Sequence, residues 1–258
     1  MLIDSHAHLE MKEFDPDRSG VIERARAAGV DCIVTVGTNP DLSRKALSIA
    51  RRYENIYSTV GIHPHDAAGA DDSSLDALKK LAQDPKVVAC GEIGLDYFRN
   101  LSPREKQTEM FAKQLDLAGE LNLPVIIHDR EAHDQTMRMV KASGIRSGVF
   151  HCFSGDWAMA RQCIDLGFYI SVPGVVTFDK SKVLQEVVRQ APIDWMLLET
   201  DCPYLAPVPH RGKRNEPSFL VHTARKVAEI KGLAWEDVAR TAAVNTRRLF
   251  RIAGPVSK

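Results

Sequence analysis

Eight short apolar runs, each followed by a longer segment with helical spacing, constrain this chain more than any other feature. The runs cover residues 2–6, 32–36, 57–62, 87–93, 125–128, 148–151, 168–172 and 196–200. Most are rich in Val and Ile and short enough to be strands buried on both faces, as in a parallel sheet. Helical periodicity occupies residues 17–28, 41–52, 73–83, 103–120, 132–143, 156–166 and 180–190, and segments 217–230 and 235–250 follow the last run. Asn39-Pro40-Asp41 and Ser102-Pro103 each offer a capping side chain with an early proline, while Gly29, Gly144 and Gly167 stand where helices should stop. Strands alternating with helices build parallel βα units. Eight such units point to a closed (β/α)8 TIM-type barrel, with a doubly wound open sheet as the alternative that periodicity alone leaves open. The length of 258 residues suits one such domain, spanning 1–258.

Composition narrows the function classes. Lys plus Arg equals Asp plus Glu at 34 each, a balance that argues against a general nucleic-acid binder but not against a nucleic acid gripped at one cleft. Cys32, Cys90, Cys152, Cys163 and Cys202 are scattered without C-x-x-C spacing, so no disulfide framework is expected and a reducing, cytoplasmic setting fits. The chain opens on Met1-Leu2-Ile3-Asp4 without a signal-like region, and no apolar stretch reaches a membrane span of about 18 residues. No membrane and no obligate protein partner are expected.

In either candidate fold, ligands collect at the C-terminal ends of the strands. Run one ends in His6-Ala7-His8 and run three in His63-Pro64-His65. Run four ends in Glu92, run five in His128, run six in His151 and run eight in Glu199-Thr200-Asp201. Nine histidines scattered at random would not place six at strand ends on one side of a fold. Burying several imidazoles and carboxylates together is costly unless a cation compensates, and a metal ion does so. Residues two apart on a strand face one way, so His6 and His8 can share an ion, and Glu199 pairs with Asp201 if the strand persists. Cys152 and Cys202 should face away from the site. The set His6, His8, Glu92, His128, His151 and Asp201 is too large for one tetrahedral ion with an open position. It is enough for two ions bridged by Glu92, which together could activate water and clamp a phosphodiester.

These residues resemble the TatD family of metal-dependent deoxyribonucleases, within the wider amidohydrolase-like barrels. The likeness is carried by Asp4-Ser5-His6-Ala7-His8, Gly61-Ile62-His63-Pro64-His65, Gly91-Glu92-Ile93-Gly94-Leu95-Asp96-Tyr97, His151-Cys152-Phe153-Ser154-Gly155, Glu199-Thr200-Asp201-Cys202-Pro203-Tyr204-Leu205 and Val244-Asn245-Thr246. It implies a divalent-metal centre that hydrolyses phosphodiester bonds, often 3′→5′ on single-stranded DNA. It further implies that His6, His8 and Asp201 hold one ion, that His128 and His151 hold the other, and that Glu92 bridges them. Asp201 would then also take a proton from the attacking water. The resemblance points to Mg²⁺ or Mn²⁺, whereas four imidazoles suit Zn²⁺ or Mn²⁺ better than Mg²⁺.

Substrate contacts are more open. His63 either grips a phosphate or caps its strand, and His65 and Glu199 are equally divided between site and structural roles. Arg211, Lys213 and Arg214 form a basic loop after run eight that meets phosphates or merely solvent. Tyr97, Phe98 and Arg99 could stack a base and hold a phosphate, or pack the loop. His133 and His222, Trp157, Trp195 and Trp235 read as packing residues, and Gly155-Asp156 as a helix start. An amidohydrolase or lactonase is the competing reaction; Glu92 in place of a strand-four lysine favours phosphodiester chemistry. A non-enzymatic binding role is disfavoured because no member of the ligand set is missing.

Overall fold

The computed structural model describes residues 1–253. Its strands are β1 (Leu2–Ala7), β2 (Val30–Thr35), β3 (Ile56–Val60), β4 (Val87–Asp96), β5 (Val125–Arg130), β6 (Gly148–Phe150), β7 (Phe168–Val172) and β8 (Met196–Leu198). Every neighbouring pair is parallel and the strand order follows the chain from β1 to β8. A doubly wound sheet would reverse direction partway; a monotonic order curls one way and its edges meet. The Asp201 amide donates to the His6 carbonyl at 3.0 Å, and the His8 amide donates to that of Cys202 at 2.9 Å. Ser5 Oγ donates to the Leu198 carbonyl at 3.0 Å. The expected barrel therefore forms, and individual hydrogen bonds close it between β1 and the segment after β8.

Helices α1 (Arg18–Ala27), α2 (Pro40–Arg52), α3 (Asp72–Leu81), α4 (Arg104–Leu121), α5 (His133–Ser143), α6 (Trp157–Asp165) and α7 (Lys182–Gln190) alternate with the strands, and α8 (Leu220–Lys231) and α9 (Trp235–Phe250) follow β8. Asn39 caps α2 by accepting from the Leu42 amide at 2.9 Å, and Asp156 caps α6 from Met159 at 2.9 Å. Gly29, Gly144 and Gly167 take positive φ of 83°, 74° and 87° at helix ends. Ser102 departs from its expected capping role: its hydroxyl donates to the His65 carbonyl at 2.7 Å and accepts from the Ala68 amide at 3.0 Å. It is drawn away from α4 by the short 3-10 segment Pro64–Gly69, whose His65 carbonyl and Ala68 amide it bridges.

Strand residues of alternate parity divide between two clusters. Ile3, Val34, Ala89, Ile126, Val149, Tyr169 and Leu197 pack with Leu249, Phe250 and Ile252, so the end of α9 plugs the lower barrel. The opposite parity, including Ile33, Ile56, Val125, Phe150 and Ile170, packs against the helices. Trp157 and Trp235 pack on that outer cluster and Trp195 on the inner one. All five thiols are unpaired, and no helix among the described residues is long and apolar enough to cross a membrane.

At three strand ends the difference from the sequence expectation bears on the site. β4 runs through Asp96, three residues past the anticipated end, because β5 also continues and pairs Gly94 with His128 and Asp96 with Arg130. Glu92 thus lies inside the strand and not at its tip. Gly94 is required there: at φ 144°, a Cβ would meet the His128 carbonyl oxygen at 2.0 Å. β8 stops at Leu198, and Asp201 has φ 54°, so the alternation expected for Glu199, Asp201 and Cys202 does not carry that far. Cys152 has φ 43°, which breaks alternation after β6 and leaves its thiol close enough to Asp201, Glu199 and Glu92 to sense their charge.

Candidate metal centre

Alternation carries side chains from the inner cluster straight up to the top of the barrel on two strands: Ile126 leads to His128, and Val149 leads to His151. On β1 and β4 it fails by one residue, since Ile3 and Ala89 are odd while His6 and Glu92 are even. Both strands contain a register irregularity at that point, between Asp4 and Ala7 on β1 and between Cys90 and Ile93 on β4. Such an inserted residue re-aims the side chains beyond it. Two bulges thereby bring His6 and Glu92 onto the face that His128 and His151 already occupy.

Glu92 sits at the centre of the resulting cluster with 2% of its surface exposed. Its two oxygens divide the surrounding donors. Oε2 lies 3.4 Å from His6 Nε2 and 3.7 Å from His8 Nε2, and Asp201 Oδ1 approaches the same two nitrogens at 3.8 and 3.4 Å. Oε1 lies 2.7 Å from His128 Nδ1, 2.8 Å from His151 Nε2 and 3.3 Å from His63 Nε2. Within each group two imidazole nitrogens approach to 3.2 Å, His6 with His8 and His128 with His151. That separation suits two ligands each about 2.0–2.1 Å from one shared ion. The halves abut, because the His6 and His151 rings stack with centroids 3.9 Å apart.

Carboxylates stand behind the imidazoles. His8 Nδ1 is 3.1 Å from Glu10 Oε1, whose other oxygen accepts from Thr35 Oγ1 at 2.9 Å. His128 Nε2 is 3.2 Å from Asp96 Oδ2, and His65 Nε2 is 2.9 Å from the same atom. His151 Nδ1 is 3.7 Å from Glu199 Oε1, which accepts from the Cys152 amide at 2.6 Å. His6 Nδ1, His151 Nδ1 and Glu199 Oε2 have no hydrogen-bond partner, and donor atoms of those three residues lie within 4.8 Å of one another.

The electrostatics follow from this crowding. Burial alone would raise Glu92, but His151, His63 and His128 outweigh it and hold the carboxyl well below its usual range. Burial pushes the His63 imidazole down to about 4, against the opposing pull of Glu92. His8, His128 and His151 are raised despite burial, because each faces carboxylates on two sides. No Lys or Arg side chain pairs with Glu10, Glu92, Asp96, Glu199 or Asp201 among the described residues; imidazoles are their only cationic neighbours. Five buried carboxylates without an ammonium or guanidinium leave their charge to be balanced by these imidazoles or by a bound cation.

Residues named from sequence for substrate contact fall into different places. Of the two roles weighed for His63, the structural one is present: Nδ1 caps the turn by accepting from the His65 amide at 3.1 Å, while Nε2 faces Glu92. Arg99, Arg211 and Lys213 are exposed, with Arg211 lying over the Phe178 ring at 4.3 Å. Arg214 is held away from the cluster, donating to Asp17 at 2.8 and 2.7 Å and to the Glu13 carbonyl at 2.6 Å. His133 pairs with Asp129 at 2.8 Å and His222 with His210 at 3.2 Å, both outside the cluster. Glu10 and Asp96 were not singled out from sequence, although His8-x-Glu10 and the alternating Glu92, Gly94, Asp96 carry the two-residue spacing that would have found them.

Comparison with known proteins agrees with this architecture. The chain is 44% identical to the metal-dependent hydrolase YabD of Bacillus subtilis, over 98% of this chain and 100% of that one. It is 39% identical to the 3′-5′ ssDNA/RNA exonuclease TatD of Erwinia amylovora, over 96% of this chain and 99% of that one. Among solved structures, the Escherichia coli TatD homologue YjjV superposes with a TM-score of 0.93 at 32% identity, covering 98% of both chains. The family model for TatD-related DNases matches residues 3–251, and the chain belongs to that family of hydrolytic enzymes.

Proposed function

We propose that this barrel is a two-metal phosphodiesterase that removes nucleotides from the 3′ end of single-stranded DNA. One observation carries the reading: the two oxygens of Glu92 face separate donor groups, His6, His8 and Asp201 on one side and His128 and His151 on the other. Those residues would hold the two ions, and the donor set fits them, since neutral imidazoles and ionised carboxylates are the ligands divalent metals require. The charge requirement fits as well, with five buried carboxylates facing imidazoles and no Lys or Arg side chain. Mixed imidazole and carboxylate ligation suits Mn²⁺ or Zn²⁺ at least as well as Mg²⁺. When bound, the ions supply Lewis acidity and lower the pKa of water.

The chain's own residues supply the rest. Asp201, 9% exposed at the edge of the cluster, accepts the proton of the attacking water. Burial opposes its ionisation, but His8, His6 and His151 outweigh this and keep it a carboxylate. His63, uncharged at neutral pH, donates a hydrogen bond to the substrate phosphate, and His65, oriented by Asp96, stands beside it. Arg99, Arg211 and Lys213 line the rim as exposed cations for the phosphates of the strand. Arg214 serves that loop by fixing it to Asp17. The activity of the Erwinia relative, a 3′-5′ ssDNA/RNA exonuclease, supports both the strand polarity and the single-stranded substrate.

The test uses a 5′-labelled single-stranded oligonucleotide and metal-stripped protein, with Mg²⁺, Mn²⁺ or Zn²⁺ restored separately. Stepwise, metal-dependent shortening from the 3′ end that disappears in Glu92→Ala is expected. A protein that binds metal yet cleaves no oligonucleotide with any ion would overturn the nuclease reading and move the same centre to amide or ester substrates.

A further inference from the structure

Phe98 lies two residues beyond β4 with 61% of its surface exposed, whereas its neighbour Tyr97 is drawn inward by a hydrogen bond from its hydroxyl to Gln135 at 2.7 Å. An exposed aromatic on a catalytic rim invites a ligand when it is rigid and has one face free. Both conditions hold. The Arg130 guanidinium covers one face of the ring at 4.0 Å from its centroid, so the exposed area is the other face and the edge. The turn carrying Phe98 is pinned because Asp96 Oδ1 accepts from the Arg99 amide at 2.7 Å. The other oxygen of Asp96 faces His65 at 2.9 Å and His128 at 3.2 Å. One carboxylate thus fixes both the aromatic platform and two imidazoles of the metal centre. Arg130 belongs to the same neighbourhood: it follows His128 by two residues on β5, and its charge reaches the Cys152 thiol beside His151.

We propose that Phe98 and Arg130 form a base-stacking subsite, in which an unpaired nucleobase of the substrate strand lies on the free face of Phe98 while Arg130 meets an adjoining phosphate. The inference rests on the nuclease reading and extends it to the source of single-strand selectivity. In a duplex, both faces of each base are already stacked and its edge is paired, so a fixed ring at the rim has nothing to receive. A free strand offers a π face from any base, which makes such a platform tolerant of sequence. Phe178 also carries a guanidinium, that of Arg211, but it is only partly exposed and presents less free ring.

The experiment compares wild type, Phe98→Ala, Phe98→Leu, Phe98→Trp and Arg130→Ala on a single-stranded oligonucleotide and on the same strand made abasic across its 3′-terminal nucleotides. In wild type, the intact strand should have the lower KM by about tenfold, within the span of about 5- to 150-fold that one stacked base commands. In Phe98→Ala and Phe98→Leu that ratio should collapse towards one, and in Phe98→Trp it should be kept or widened. Arg130→Ala should raise KM on both strands and flatten the dependence of log K on log salt by about 0.7. An intact-to-abasic ratio that survives Phe98→Ala overturns the subsite alone, as does an equal loss on both strands. A wild type that cleaves neither strand overturns the nuclease reading, and the subsite with it.

Discussion

Glu10→Ala isolates the part of the metal centre that lies behind its ligands. Glu10 is fully buried, with one oxygen 3.1 Å from His8 Nδ1 and the other accepting from Thr35 Oγ1 at 2.9 Å. Removing it leaves a buried imidazole N–H without an acceptor, at a cost of about 1–3 kcal/mol. It also frees the ring to turn, so Nε2 loses its aim at the space shared with His6. Loss of such a supporting partner lowers metal affinity about 10- to 100-fold, or about 1.4–2.7 kcal/mol. The two figures agree because they describe one unsatisfied hydrogen bond. Glu10→Gln should lie between wild type and Ala: the amide oxygen still accepts from Nδ1, and the Thr35 hydroxyl turns to accept from the amide NH₂. Calorimetric titration of metal-stripped protein with Mn²⁺ reads the effect. The phase belonging to the His6–His8 side should weaken by the stated factor, while the His128–His151 side should hold within a few-fold. Wild-type affinity in both phases of Glu10→Ala would refute the reasoning.

Gly94→Ala should cost about 4 kcal/mol or more, since its Cβ would fall 2.0 Å from the His128 carbonyl oxygen at φ 144°. A urea midpoint within about 0.5 M of wild type would contradict that clash. Arg211→Ala with Lys213→Ala should flatten the salt slope of oligonucleotide binding by up to about 1.4, at about 0.7 for each phosphate contact. Arg214→Ala should leave the slope unchanged and lower stability by no more than about 1 kcal/mol, the Asp17 side chain being 38% exposed; the reverse pattern would exchange their roles. Asp4 gives a pH signature. Burial raises its carboxyl to about 7, partly offset by hydrogen bonds from Thr200 and His6. The folded state therefore binds this proton more tightly than the unfolded chain, so stability falls as pH rises from about 4 to about 7, and the cost is fully present above that range. It amounts to at most about 4 kcal/mol. Asp4→Asn does not titrate, so in metal-stripped protein its urea midpoint should exceed that of wild type increasingly across this window; a difference that stays flat with pH would refute the assignment.

Much of the barrel was legible because the alternation of apolar runs and helical segments is a property of the chain alone. Where strands end is another matter. Gly94 interrupts an apolar run and reads as a stop, yet the ladder with β5 carries β4 on to Asp96, a tertiary pairing no local window contains. The chemistry at strand ends was visible as residue types, but the two bulges that aim His6 and Glu92 were not. Where a strand gains a residue is decided by its neighbours' register, and the two-residue period says nothing about it. Arg214 shows a further limit: within His210-Arg211-Gly212-Lys213-Arg214 the cations look alike, and only Asp17, nearly two hundred positions earlier, separates them.

The two halves of the centre depend on the fold in different ways. Glu92, His128 and His151 come from β4, β5 and the residue after β6, three strands consecutive in the chain and paired in ladders that the bulge at Glu92 interrupts once. His6 and His8 meet Asp201 only where the barrel closes. That seam is made of discrete bonds: the Asp201 amide to the His6 carbonyl, the His8 amide to the Cys202 carbonyl, and the Thr200 amide to Asp4 at 3.0 Å. The seam is also where the chain carries its unfavourable features, a buried carboxyl at Asp4 and a left-handed backbone at Asp201. A ladder continued through β8 would have avoided the strain but would have aimed Asp201 by simple alternation. The left-handed turn frees that residue from alternation and sets its carboxylate beside His8 Nε2, where the proposed mechanism places a proton acceptor. On the proposed assignment, a cation shared by His6, His8 and Asp201 would join the first strand to the last segment of the barrel, so binding on this side would be coupled to closure, whereas the His128–His151 side would draw its ligands from strands already paired.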